Sequence, residues 1–235
     1  MTKKTLQDFA KANGGIKWIA RRHFEYRIPV PVTQTAADNN AGEIGAMVYT
    51  RHIAPEKLGL NAAGACGAMM HGEKLAHWGL IPSVIYHGRD QRNFDGAWLT
   101  AEAIERATKE KVTCLENPAV TYPVYRDIQE TSAALAKYGD PAVHQTLAGS
   151  LHLWTESPQT FFARICGAIN DAEEGVLWDL NFEAIVLMYY VYVASVKNIS
   201  RIPSDKMAWI PLKGSGIVMA KNGAVTVFDR ELNIT

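Results

Sequence analysis

Three stretches of this chain bring chemistry-bearing side chains close together. The first is residues 66–77, where Cys66, His71 and His77 flank Glu73. A cysteine beside a histidine is the pairing that activates a thiolate nucleophile. The second is "KWIARR", where Lys17, Arg21 and Arg22 could meet a polyanion. The third is "HGRDQRNFDG", residues 87–96, with Arg89, Arg92 and Phe94 among mixed charges. Arginine and aromatic side chains are favoured anchors of protein interfaces, so a polar loop of this kind suits a docking surface.

None of the three matches a catalytic or cofactor motif. His71 and His77, six apart, fall on divergent faces of a helix, and no histidine pair has the H-E-x-x-H spacing of a metal site. "GACGAMMHG" and "KGSGIV" lack the lysine and the following helix that a phosphate-binding loop uses. "GSG" at 214–216 lacks the frame of a nucleophile elbow. The three cysteines, Cys66, Cys114 and Cys166, are far apart and form no C-x-x-C. The residues therefore assign no catalytic group, no cofactor and no metal. An enzyme with a Cys/His site near 66–77 stays open as one alternative.

"FAKANGGIKWIARR", residues 9–22, carries the second alternative. Ala10, Gly14 and Ile19 or Ala20 have the spacing of a helix-turn-helix, a DNA-binding regulator spanning residues 5–22. The polar turn residues usual after the glycine are absent, and Ile16 stands there instead. The competing reading is a first helix over 2–13 stopped by Asn13-Gly14-Gly15, because glycine takes the left-handed conformation that ends helices. Residues 16–26 then form a second helix, or a strand leading into "RIPVPV".

Further along, "EIGAMVYTR" and "IPSVIYHG" read as strands, and 58–80 is rich in glycine and alanine, which permits close approach to another element or to a ligand. Thr100 is placed to cap a helix over "AEAIERATKEKV". Asp140-Pro141 and Ser157-Pro158 are helix starts. The apolar segment 180–197 fits a buried helix, and its longest run is short of the roughly 20 residues that cross a bilayer. Asn222-Gly223 between two apolar runs predicts a type I′ hairpin with strands near 217–221 and 224–228.

The sum is an α+β fold: one predominantly helical domain, 1–235, with a small antiparallel sheet and a C-terminal β-hairpin. The bend at 28–32 allows a small N-terminal helical unit, 1–28. Charge balances at 24 basic and 24 acidic residues, so no overall field gathers polyanions. Residues 1–28 hold seven basic side chains against two acidic ones, a local +5. A protein partner, or nucleic acid through this basic segment, is the expected ligand. The absence of a secretory h-region and of paired cysteines points to the cytoplasm.

The opening "MTKKTLQDFAKANGG" resembles, in general character, accessory and fertility-inhibition proteins of conjugative plasmids or phages. The resemblance implies an inhibitor acting by protein–protein contact. The leading expectation is accordingly a non-enzymatic regulator of a macromolecular partner, docking through Lys17, Arg21, Arg22, Arg89, Arg92 and Phe94.

Overall fold

The computed structural model describes residues 3–24, 59–88, 91–117, 176–180 and 213–234, with scattered positions between 119 and 167. The readings of 33–42, of "EIGAMVYTR", of the Asp140-Pro141 helix start and of the segment beyond 180 lie outside these residues, as does Arg89.

Helix α1 (Leu6–Ala12) begins with a capping box: Thr5 Oγ1 accepts from the Asp8 amide, and the Asp8 carboxylate accepts from the Thr5 amide. It ends at Asn13, and Gly14 and Gly15 come next at φ +76° and +109°. A side chain would be strained at either position, so the glycine stop is real. The chain then enters strand β1 (Ile16–Arg22), not a second helix. The helix-turn-helix is therefore corrected to helix–turn–strand. β1 is central, paired on both edges, and all its residues but Lys17 are buried. A run of Ile, Trp and Ile with both faces covered favours strand over helix.

The remaining elements are α2 (Ala62–His77), β2 (Val84–His87), α3 (Gln91–Thr108), β3 (Thr113–Glu116), β4 (Val176–Leu180), β5 (Gly216–Ala220) and β6 (Val225–Phe228). Among the described residues the strands form one sheet in the order β3-β2-β4-β1-β5-β6. β3, β2, β4 and β1 run parallel, and β5 and β6 add an antiparallel edge beside β1. The class is α+β with a C-terminal hairpin, and the antiparallel strands continue into a parallel half.

The hairpin turn differs from type I′. Gly223 alone takes a positive φ, +85°, while the Gly223 amide donates to Ala220 O and the Ala220 amide to Ala224 O. This is a three-residue loop with one left-handed glycine, and it needs no positive φ at Asn222.

Helix α3 begins at Gln91, so "RDQRNFDG" is largely the first two turns of a helix and not a loop. Thr100 lies mid-helix and fully buried, and its expected capping role is corrected accordingly. α3 packs on α2 and against β2, β3 and β4. The small residues of α2 serve that contact: a Cβ at Gly72 would collide with the Thr100 carbonyl oxygen and lie 2.7 Å from Ala103 Cβ. The core beneath holds Ile19, Leu75, Ile85, Ala97, Ala101, Ile104 and Val218. No helix among the described residues is long and apolar enough to cross a membrane.

Substituting Gly72→Val should force the two helices apart. We expect a loss of about 1–3 kcal/mol of stability by overpacking, read as a lower midpoint in chemical denaturation.

Candidate active site

Four parallel strands present their carboxyl ends on one side of the sheet, the side where open α/β sheets bind ligands. β1 ends in Arg21-Arg22-His23-Phe24, and β2 ends in His87. The first turn of α3 supplies Arg92 and Asn93, and the turn before β5 supplies Lys213, Gly214 and Ser215. Arg21, Arg22, His23, His87, Asn93 and Ser215 are all buried.

Arg21 fixes this end of the sheet. It is 1% exposed, and its Nη2 donates to Thr100 Oγ1 at 2.9 Å and to Gly96 O at 3.3 Å. The guanidinium lies over the Phe24 ring, 4.7 Å from its centre. Phe24 in turn meets the His71 ring edge-on at 4.8 Å. Cβ atoms at Gly67 or Gly214 would lie 2.7 Å and 2.8 Å from the Phe24 ring, so both glycines make the slot it fills.

The next two residues are held by the turn before β5. The Arg22 amide donates to Ser215 O at 2.9 Å, and the Gly214 amide reaches the carbonyls of Arg22 and His23. His23 Nδ1 lies 2.6 Å from Phe24 O. A carbonyl only accepts, so Nδ1 carries the proton and Nε2 carries the lone pair. Burial is the largest influence on this imidazole, and Arg92, Arg22 and Lys213 add positive charge. The Phe24 carbonyl opposes the shift more than any single cation favours it, but burial outweighs it and the basicity of His23 falls well below the ordinary value. Burial and the nearby positive charges thus favour the neutral imidazole at His23.

His87 repeats the device at the end of β2: its Nδ1 donates to Gly88 O at 2.9 Å, and its ring meets Phe94 edge-on at 5.3 Å. Asp95 anchors the first turn of α3. Its carboxylate accepts from Gln91 Nε2 at 2.7 Å and from the Gly59 amide at 2.6 Å, and burial raises its pKa. A Cβ at Gly59 would collide with the Arg92 backbone, so this strap lies flat on the turn that carries Arg92.

The residues expected to dock a partner divide. Arg21 and Arg22 are corrected to buried groups, because their strand is central in the sheet. Lys17, Arg92 and Phe94 are half-buried, on β1 and α3. The Cys66/His71/His77 site is not assembled: Cys66 and His77 face solvent while His71 is buried, with Nε2 donating to Arg230 O at 2.6 Å. Sequence reasoning missed His23, His87, Asn93, Lys213 and Ser215 as members of the site. The signal for His23 was present, as three successive polar residues closing an apolar strand.

No protein-family model matches the chain, and no curated protein is significantly similar to it in sequence. Solved structures do match. A mycobacterial glucosyl-3-phosphoglycerate phosphatase is 14% identical, with 93% of this chain and 94% of that one covered and a TM-score of 0.46. "Mycobacterial hydrolase 2" is 14% identical, with 90% and 81% covered and a TM-score of 0.46. A protein described as a phosphohistidine phosphatase of Agrobacterium tumefaciens is 13% identical, with 91% of both chains covered and a TM-score of 0.37. At such values the likeness transfers no residue role. The expectation of a non-enzymatic inhibitor, with its plasmid and conjugation setting, is nonetheless corrected: the similar structures are described as hydrolases and phosphatases. The DNA-regulator alternative falls with the helix-turn-helix.

His71 gives the site a pH signature. Burial first, then the charge of Arg21, lowers its pKa from 6.5 to about 3. As pH falls below 6.5, the unfolded chain takes up a proton that the folded chain refuses until about pH 3. Stability contributed by His71 is complete above that window and is lost through it, by up to about 1.4 kcal/mol per pH unit. Denaturation midpoints of the native chain should therefore fall from pH 7 to pH 4.5, and His71→Gln should flatten the slope.

Proposed function

We propose that the chain is an enzyme that hydrolyses phosphate monoesters, with His23 as the nucleophile. The observation that carries this is His23 itself: a buried imidazole, its Nδ1 proton given to Phe24 O, with Arg22, Arg92 and Lys213 near enough to act on it electrostatically. Clustered cations suit a tetrahedral oxyanion, and guanidinium groups match phosphoryl oxygens two at a time. A neutral nitrogen lone pair among those cations suits attack on the bound phosphorus.

In the first step the Nε2 lone pair forms a P–N bond as the P–O bond to the leaving alcohol breaks. The alcohol oxygen takes its proton from water or an acid at the site. Water then attacks the phosphoimidazole, breaking the P–N bond and returning His23 to its neutral state. Arg22, Arg92 and Lys213 stabilise the charge on the phosphoryl oxygens in both steps, the role that fixed cations play in phosphoryl transfer. Keeping the imidazole deprotonated maintains the nucleophile below neutral pH. Cytoplasmic placement fits the exposed free thiol of Cys66.

Assay with p-nitrophenyl phosphate tests the proposal. The native chain should turn it over; His23→Ala should lower kcat about a thousandfold or more. Arg22→Ala should lower kcat/KM about a hundredfold. Native-level turnover by the His23 variant would refute the assignment.

A further inference from the structure

Asn93 is the one fully buried amide side chain in the first turn of α3, and neither its Nδ2 nor its Oδ1 has a hydrogen-bond partner among the described residues. A buried amide left unpaired costs on the order of 1–3 kcal/mol per group, so native chains seldom retain one without a use. The helix could carry leucine there at no such cost.

The surroundings place Asn93 at the end of α3 nearest the site. Gly96 and Thr100, three and seven residues on, lie on the same helical stripe and hold the Arg21 guanidinium. Three residues back from Gly96, about 4.5 Å along the helix axis, is Asn93. His23 follows Arg22, the last residue of β1, and so lies just past the carboxyl end of the strand that carries Arg21. α3 follows β2 and begins at the carboxyl ends of the strands, so both steps run toward the site. Arg92, the neighbour of Asn93, acts electrostatically on His23.

We infer that Asn93 is a substrate-binding residue, its Nδ2 donating to an oxygen of the phosphoryl group that His23 attacks. The nucleophilic role of His23 rests on the phosphatase reading; the binding of an oxyanion rests on the buried amide and its place beside Arg92. The free protein carries the cost of the unpaired amide, and the bound oxyanion relieves it. A neutral donor adds a directed hydrogen bond where the arginines already supply charge.

The test combines stability with binding, in Asn93→Leu and Asn93→Asp, using inorganic phosphate as the probe. Asn93→Leu should leave the midpoint of the free protein unchanged or raised. It should weaken phosphate binding by calorimetry roughly 10- to 100-fold, the loss expected for a hydrogen bond to a charged group. Asn93→Asp, which sets a carboxylate against the anion, should weaken binding at least as much. If Asn93→Leu lowers the midpoint and leaves phosphate affinity unchanged, Asn93 is structural and the inference fails. Should Asn93→Leu not fold, unchanged affinity in Asn93→Asp would equally overturn it. Loss of phosphate binding in both variants of a chain that hydrolyses no ester would uphold the oxyanion role while refuting the nucleophile assigned to His23.

Discussion

The fold at its functional end hangs on one buried cation. Arg21 joins β1 to the middle of α3 through Thr100 and Gly96, and to Phe24 through its ring face. A guanidinium at 1% exposure is costly to desolvate, so it persists only where hydrogen bonds and a π face receive it. Because Arg21 is fixed, the two residues after it have little freedom. Arg22 is tied to Ser215, His23 to the carbonyl of Phe24, and Phe24 is wedged between two glycines. Arg92 is positioned from the same helix that receives Arg21.

This arrangement separates two kinds of positive charge. Arg21 is a strut, enclosed by helix, strand and ring. Arg22, Arg92 and Lys213 are the charges that act on His23. The histidines divide similarly. His71 spends its proton on Arg230 O and its ring on Phe24, a structural part. His23 and His87 stand at strand ends with Nδ1 tied to the following carbonyl, and in the neutral ring of His23 this leaves Nε2 as the lone-pair nitrogen. Burial together with several nearby cations disfavours the protonated form of His23, as a nucleophile requires and a docking surface does not.

Much of the local structure was legible in the residues. The first helix, its Gly14-Gly15 stop, the strand near Val84 and the C-terminal hairpin follow from periodicity and glycine placement, while the Thr5 cap and the hairpin's turn type do not. Ser157 does accept from the Thr160 amide at 3.0 Å, as its Ser-Pro signal implied. The site was not legible, for a physical reason. Buried polar groups contradict the rule that charge lies outside, so "ARRH" read as a solvated basic face and "QRNFD" as a loop. Asn93 and Asp95 look like turn residues, yet a tertiary strap at Gly59 and the packing of α2 make that segment the start of a helix. Arg22 and Arg92 were singled out as partner contacts; the structure places Arg22 buried and Arg92 half-buried at the carboxyl end of the sheet.

The central claim is that His23 is a neutral imidazole with its proton on Nδ1 and its lone pair on Nε2. Nitrogen-15 NMR of the imidazole from pH 5 to pH 8 reads both properties directly, with His23→Gln giving the assignment. The expected result is an Nδ1–H tautomer throughout, with no titration in that range. A ring that protonates near pH 6.5, or that carries its neutral proton on Nε2, would contradict it.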